Sequence, residues 1–433
     1  MDRPVNRRDF LGSIASAAGA GLALSAATFA QTPSRQALGA PRAPDGKPLR
    51  AGLIGCGGRG RGAMINFLDA GPNLQLVALA DVFPDRIAAA REELKKDKGI
   101  DIPDNRCYTG FDAFEKLINS DVDVVLNCTP PHFRPAHFAA CVEAGKHAFL
   151  EKPVGVDPVG VRSVLATAEK AASKGLAVMT GTQLRREQPR LEVRNRVLDG
   201  MIGDIRSVRA FRNQGALWYR PREANWSDTE YMIRDWVNWN WLSGDHIVEQ
   251  HIHHLDAMLW VMGKAPVKAV GMGARMRRPQ GDQYDFFSID YTFDDGVHMH
   301  STIRQIGGCV NLRDETLVGT KGSASLDQGA IFDPAGKVLW KFKGEVNDAL
   351  IQEHADFVSS IRSGNPINTV KETAVATLMA IMGRESAYTG KAVTWDEIMA
   401  SDQRLGPTTY SLGPLNMPAK EPIPGQDSEP NTQ

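Results

Sequence analysis

One junction constrains this 433-residue chain more than any other. The apolar run Leu49–Ile54 passes directly into Gly55-Cys56-Gly57-Gly58-Arg59-Gly60, and a second apolar run, Leu74–Asp81, closes on an acid. A strand must become a helix within a few residues. Glycines allow this because a residue without Cβ tolerates the tight backbone and lets a ligand approach. The helix that follows presents unpaired N–H groups and the positive end of its dipole, which together hold a pyrophosphate. Gly55, Gly57, Gly58, Arg59 and Gly60 are therefore candidate cofactor-binding residues. Asp81 lies 21 residues after Gly60, where a carboxylate accepts the adenosine ribose hydroxyls and repels a 2′-phosphate. NAD is accordingly expected ahead of NADP. Arg59 and Arg86 would soften that preference. A glycine-rich turn without a nucleotide is the competing explanation, and strand, glycines, helix, strand and acid in register argue against it.

The alternation continues to Thr180. Leu49–Ile54, Leu74–Asp81, Val122–Cys128, His147–Leu150 and Ala177–Thr180 read as strands, with helices at Gly60–Ala70, Pro84–Lys98, Ala136–Ala144 and Val159–Lys174. This rhythm predicts an α/β fold: a doubly wound, Rossmann-type domain over residues 49–180. After Gly181 the pattern changes. Leu191–Leu198 is helical, but Ile205–Gln214, Val267–Met276, Phe287–Phe293, Val297–Gln305 and Glu315–Val318 are rich in β-branched residues and separated by turn signals. Residues 181–405 are expected to form an α+β substrate and oligomerisation domain with an open, mainly antiparallel sheet. Its free face would suit pairing into a homodimer or homotetramer. The helices Asp348–Ser363 and Thr373–Tyr388 could pack back on the first domain.

The ends carry a different message. Asn6-Arg7-Arg8-Asp9-Phe10-Leu11, a mildly apolar run and the small-residue exit near Ala30 read as a twin-arginine signal peptide over residues 1–30. Residues 31–48 form a Pro/Ala/Ser/Gly-rich arm, and the Pro-rich tail 406–433 is expected to be an extended strap or disordered. Twin-arginine export carries folded chains, so a periplasmic protein would leave the cell with its nucleotide locked in and regenerate it in place. The balance of 50 basic and 51 acidic residues offers no field for nucleic acid. No stretch after the signal is apolar enough to span a membrane. The five cysteines have no metal-ligand spacing, and folding before export predicts that they stay unpaired.

The remaining motifs carry the chemistry. Glu151-Lys152-Pro153 sits at the carboxyl end of a predicted strand, where ligands bind in open α/β sheets. Lys152 there is either a solvated strand-end residue or one that bonds a substrate hydroxyl. Thr129, Pro130 and His132 follow the neighbouring strand and would line the same cofactor edge, with Glu151 and Lys152. Four of the ten histidines, His246, His251, His253 and His254, fall within nine residues. On a helix His246, Glu249 and His253 share one face, while His251 and His254 share another. A carboxylate-oriented proton-transfer pair is the favoured reading, ahead of a structural cluster and of a metal site, and no metal is expected. Trp218, Tyr219, Trp226, Tyr231, Trp236, Trp239 and Trp241 crowd just upstream and would suit a sugar. Gln183, Arg185, Trp236, Asp245, His246 and His254 are the candidate substrate residues.

The glycine turn, Glu151-Lys152-Pro153, and the carboxylate four residues before a histidine in Glu249-Gln250-His251-Ile252-His253 together resemble the Gfo/Idh/MocA oxidoreductases, over roughly Leu49 to Ala400. The resemblance implies a tightly held nicotinamide cofactor and a catalytic pair in which Lys152 polarises a sugar hydroxyl and His253 acts as acid and base. That family usually has Asp where this chain has Glu249. Export and the arm resemble the periplasmic glucose–fructose oxidoreductase type. The exported NAD-dependent glycoside hydrolases of the same superfamily are the second likeness, although Gly244-Asp245-His246 does not match their Thr-His-Gly pattern. A non-catalytic, nucleotide-dependent sugar-binding protein is the third possibility.

Overall fold

The structure is a computed structural model that describes residues 5–6, 26–29, 32–415, 417 and 421–426. The arginines of the expected export signal and its Ala30 exit lie outside the described residues.

Six strands make the first sheet: β1 (Leu49–Ile54), β2 (Leu74–Asp81), β3 (Cys107–Thr109), β4 (Val124–Asn127), β5 (His147–Leu150) and β6 (Val178–Thr180). They run parallel in the order β3-β2-β1-β4-β5-β6, the doubly wound arrangement. The connecting helices are α1 (Gly58–Asp69), α2 (Pro84–Lys98), α3 (Ala113–Ile118), α4 (Arg134–Glu143) and α5 (Pro158–Ser173). Because helices cover both faces, β4 is buried at every residue, hence its apolar run Val124-Val125-Leu126. Pro84 sets the first turn of α2 and Gly99, at φ 69°, closes it. Two elements escaped the sequence pattern, β3 and α3, both too short to show a period. The helix after the glycine turn also starts two residues early, at Gly58 rather than Gly60.

The second domain contributes α6 (Gln188–Leu198), β7 (Ile205–Gln214), α7 (Asp228–Arg234), α8 (Asn240–Ser243), α9 (His246–Glu249) and α10 (Ile252–Met262). Then follow β8 (Lys268–Ala274), β9 (Phe286–Thr292), β10 (His298–Gln305), β11 (Leu312–Gly319), β12 (Ser323–Ser325), β13 (Ala330–Phe332) and β14 (Val338–Lys341). The chain closes with α11 (Ala349–Arg362), α12 (Val370–Thr389), β15 (Val393–Thr394) and α13 (Trp395–Ala400). The nine strands lie in the order β14-β13-β12-β11-β7-β10-β9-β8-β15, and every pairing is antiparallel except β7 with β10. Alternation buries Val208, Ala210, Ile289, Met299, Ile303 and Leu317 on the helix-covered face. The opposite face is open and exposes Val270 and Met272. The small hairpins β12–β14 extend the sheet beyond what the sequence pattern predicts.

α11 crosses back to the first domain, where Phe357 and Val358 join the apolar core of β1 and β4. The arm and the tail are straps on the chain's own surface. Gln36 exchanges backbone bonds with the Asn195 side chain, and Ala43 N donates to Ala70 O. In the tail Tyr410 is buried, and Thr229 N donates to Gly413 O.

Candidate active site

Gly55 sits at φ 90°, and a Cβ on Gly60 would stand 1.9 Å from the Gly55 carbonyl oxygen, so the turn between β1 and α1 admits no side chain at either position. A Cβ on Gly58 would meet nothing within 4 Å, leaving the start of α1 open to a ligand. Asp81 accepts the backbone N–H of Cys56 at 2.7 Å and of Phe83 at 2.9 Å, tying the glycine turn to the end of β2. Burial pushes its carboxyl above the usual range against the pull of those two amides. Beside them opens a cleft lined by Gly55, Gly57, Asp81, Arg86, Thr129 and Pro130, with Trp236 and Tyr410 lining it from the second domain and the tail. A glycine cradle with an open floor, capped by a carboxylate at the next strand end, fits a dinucleotide.

Two cofactor-edge expectations and one substrate expectation need correction. Arg59 turns away from Asp81: its Nε donates to Glu151 at 2.5 Å and its second arm reaches Glu353 at 3.4 Å. Of the two arginines near the ribose position, only Arg86 lines the cleft. His132 is a wedge rather than a cleft wall, with Nε2 2.6 Å from the Tyr410 hydroxyl and its ring edge-on to Trp241. Trp236, expected at the sugar, lines the nucleotide cleft instead.

The Glu151-Lys152-Pro153 run follows β5, and the Lys152–Pro153 peptide is cis. Lys152 is 8% exposed, and its ammonium donates to the Glu249 carbonyl oxygen at 2.5 Å and to Glu249 Oε1 at 2.9 Å. Gln250 donates to the other carboxylate oxygen of Glu249. His253 stands partly exposed on the first turn of α10. Burial first, then the charges of Lys152, Arg59, Arg190 and Arg212, hold its ring well below the usual histidine range. It is therefore neutral and able to take a proton. Lys152, Glu249 and His253 are thus brought together at the carboxyl edge of the nucleotide sheet. Behind them Arg59 bridges Glu151 and Glu353, and burial followed by the charge of Glu151 raises the Glu353 carboxyl well above its usual range. Glu353 was missed in the sequence. Its signal is a polar run, Gln352-Glu353-His354, on the buried face of α11.

The rest of the histidine cluster disperses, because the chain breaks between α9 and α10 and each ring finds its own partner. His246 Nδ1 bonds Asp245 at 2.7 Å, His251 Nε2 bonds Ser301 at 2.7 Å, and His254 bonds Glu315, which also takes Arg190. Among the described residues no three His, Cys, Asp or Glu side chains converge as metal ligands. The expected substrate roles of Asp245, His246 and His254 are corrected accordingly. Asp245, at φ 73°, is a buried hub that accepts from His246 N, Tyr284 N and the Tyr388 hydroxyl. Arg185 makes a two-pronged pair with Asp256, both bonds 2.7 Å, and lines a cavity beneath the arm rather than the catalytic cleft. Gln183 is half-buried on the turn after β6. The aromatics also divide: Trp239 and Trp241 join an apolar cluster with Phe83, Phe133 and Tyr410, while Trp218 and Tyr219 face solvent.

Family comparison agrees with this geometry. Residues 49–181 match the model described as "Oxidoreductase family, NAD-binding Rossmann fold", and residues 191–325 match the Gfo/Idh/MocA C-terminal domain, together more than half of the chain. The chain belongs to the Gfo/Idh/MocA oxidoreductase family. Inositol 2-dehydrogenase of Rhizobium meliloti is 26% identical over 242 residues, 56% of this chain and 63% of that protein. A glycosyl hydrolase family 109 protein of Streptomyces coelicolor is 30% identical over 238 residues, 52% of this chain and 48% of that protein. The chain thus spans less than two thirds of the length of either relative. Scyllo-inositol dehydrogenase of Lactobacillus casei, solved with NAD(H) and scyllo-inositol, has the same fold: TM-score 0.62, 19% identity, 80% of this chain and 99% of that one. Its first domain is accordingly matched to the NAD-binding Rossmann fold of that oxidoreductase family.

Proposed function

We propose that this Gfo/Idh/MocA protein oxidises a carbinol carbon of a sugar or sugar derivative and then reduces a second carbonyl substrate with the same bound nucleotide. The observation that carries this reading is the meeting of Lys152, Glu249 and His253 at the carboxyl edge of the sheet whose glycine turn fits a dinucleotide. Bound NAD supplies the hydride acceptor. Neutral His253 takes the hydroxyl proton of the alcohol that becomes a carbonyl, and the nicotinamide, when bound, would supply the place for the hydride that leaves the same carbon. Lys152 donates a hydrogen bond to the developing alkoxide, and Glu249 holds the ammonium in place. The reverse transfers return proton and hydride to the second substrate.

Export by the twin-arginine route explains why the cofactor would be retained and regenerated rather than exchanged. The open sheet face, with Val270 and Met272 exposed, supports pairing of two or more copies. The test is mass spectrometry of nucleotide released by denaturing protein purified without added cofactor. Near-stoichiometric NAD, reduced by added sugar and reoxidised by a second carbonyl compound, is the expected result. An empty site and no redox change with any sugar would refute it. Redox-assisted glycoside hydrolysis is the second reading, favoured by the likeness to the Streptomyces family 109 protein. Aryl-glycoside cleavage with no net change in nucleotide would select it.

A further inference from the structure

Arg212 on β7 and Arg313 on β11 stand directly opposite each other in the antiparallel pairing. By alternation both lie on the face that carries Val208, Ala210, Glu315 and Leu317, the side that α10 covers. Like charges directly opposed on one face destabilise a sheet, and among the described residues no close ion pair offsets this one. Arg212 donates to Gln214 Oε1 at 2.9 Å, and among the described residues it has no carboxylate within ion-pair distance. Arg313 reaches the Glu315 carboxylate only at 4.0 Å, and that carboxylate is already taken by Arg190 and His254. By contrast Arg209, on the opposite face of the same strand, has Asp314 at 3.1 Å. The helix that carries His253 packs on the strand that carries Arg212, and the charge of Arg212 acts on the His253 ring.

We propose that Arg212 and Arg313 anchor an anionic group of the substrate, so that the sugar this enzyme takes carries a carboxylate or a phosphate. The inference rests on the sugar-oxidoreductase reading and names its substrate class. Planar guanidinium groups bond carboxylate and phosphate oxygens in pairs, and a neutral hydroxyl offers neither the charge nor the fork. An anion between the two strands removes the repulsion that the apo sheet carries. It also offsets part of the cationic field on His253, so the ring becomes a better base when the correct substrate is present.

The test uses the nucleotide-loaded full chain and calorimetric titration at fixed ionic strength. D-Glucuronate and glucose 6-phosphate are each compared with D-glucose, and D-galacturonate and galactose 6-phosphate with D-galactose. In at least one comparison the charged sugar is expected to bind at least about tenfold tighter, as for one charge-assisted bond. The uronate and phosphate arms identify which anion is used. Arg212→Gln and Arg313→Gln each reduce that ratio about tenfold, Arg212→Lys retains part of it, and Arg209→Gln leaves it unchanged. Equal binding of charged and neutral sugars in every comparison, no binding of any charged sugar, or a preference that survives the R212Q/R313Q double variant overturns the proposal. Failure of the underlying reading looks different. In that case no sugar changes the redox state of the nicotinamide, while the titrations still report on the anion site because they read binding alone.

Discussion

Lys152 Nζ lies 2.9 Å from Glu249 Oε1, with both residues buried, so one ion pair joins the edge of the nucleotide sheet to α9 of the second domain. Removing one member of a buried pair strands the other charge. Glu249→Ala is therefore expected to destabilise the protein by about 3 kcal/mol and to reduce kcat. Glu249→Asp, which keeps the charge, falls between it and wild type in both respects. Thermal denaturation and steady-state kinetics on the same samples check this. Equal melting temperatures for the Ala variant and wild type would show that the pair holds nothing.

His253 supplies the second prediction. General-base groups contribute roughly 10²–10⁴-fold, so His253→Ala should lose about that factor in kcat while released nucleotide remains stoichiometric. The pH dependence follows from the direction of the shift. The ring is held well below the usual histidine range, so the base form persists as pH falls through the value at which an ordinary histidine protonates. For sugar oxidation kcat/KM should stay level through that region and decline only at lower pH. A decline centred on the ordinary histidine value would contradict the influence of the surrounding cations on this ring.

A third prediction concerns stability. Burial lowers the rings of His137 and His251 to about 3, and also lowers those of His147, His246, His253, His254 and His354. These rings stay neutral in the fold and protonate in the unfolded chain below the ordinary histidine value. Acid therefore favours unfolding, by up to about 1.4 kcal/mol per pH unit for each. Asp81, Asp235, Asp282 and Glu353 act in the opposite sense: burial raises them, Asp282 to about 6, so the fold binds their protons more tightly. Seven histidines outweigh four carboxylates, and the melting temperature should fall between pH 6.5 and 5 and be nearly level above pH 7. Constant melting across that range would refute the balance.

Much of this site is legible in the sequence because its parts are local. The glycines, Asp81 and Glu151-Lys152-Pro153 each announce themselves by position relative to a strand, and a parallel strand buried on both faces is hard to miss. Glu249 and His253 came from spacing, and their meeting with Lys152 came only from the family resemblance. What failed was long-range. His254 and Asp245 look like site residues until Glu315, 61 positions away, and Tyr388, 143 positions away, take their polar atoms. Arg185 fails in the same way, through Asp256. Nothing in the sequence around Arg212 or Arg313 reveals that strand pairing sets them face to face.

The glycine turn yields a sharper test than its motif alone. A methyl on Gly60 would collide with the Gly55 carbonyl oxygen, backbone against backbone, so no rotamer relieves it. Gly60→Ala should open the turn and abolish nucleotide retention. Gly58→Ala, which meets nothing, should cost far less unless a bound ligand already fills that space. Comparing nucleotide released from the two variants therefore asks whether the open floor at Gly58 belongs to the cofactor. Loss in both variants means that it does, and loss in Gly60→Ala alone means that the ligand lies elsewhere.

The tail makes the final prediction. Tyr410 is 4% exposed, bonds His132 at 2.6 Å, and lines the nucleotide cleft opposite Asp81. It packs with Phe83 and Phe133 of the first domain and with Trp239 and Trp241 of the second. Next to Ile233, which also lines the cleft, Arg234 grips Asp85 through two bonds of 2.8 and 2.9 Å. A ligand that leaves the cleft past Tyr410 would have its release rate, more than its chemistry, set by this contact. Tyr410→Ala should speed nucleotide release about tenfold, as expected for roughly 1.4 kcal/mol of lost closure, and lower the melting temperature through the cavity it leaves. Turnover at saturating nucleotide should change little, because Tyr410 touches neither Lys152 nor His253. Release rates measured by dilution into excess competing nucleotide decide the matter. A variant that melts lower yet retains its nucleotide as long as wild type would assign Tyr410 to the fold alone.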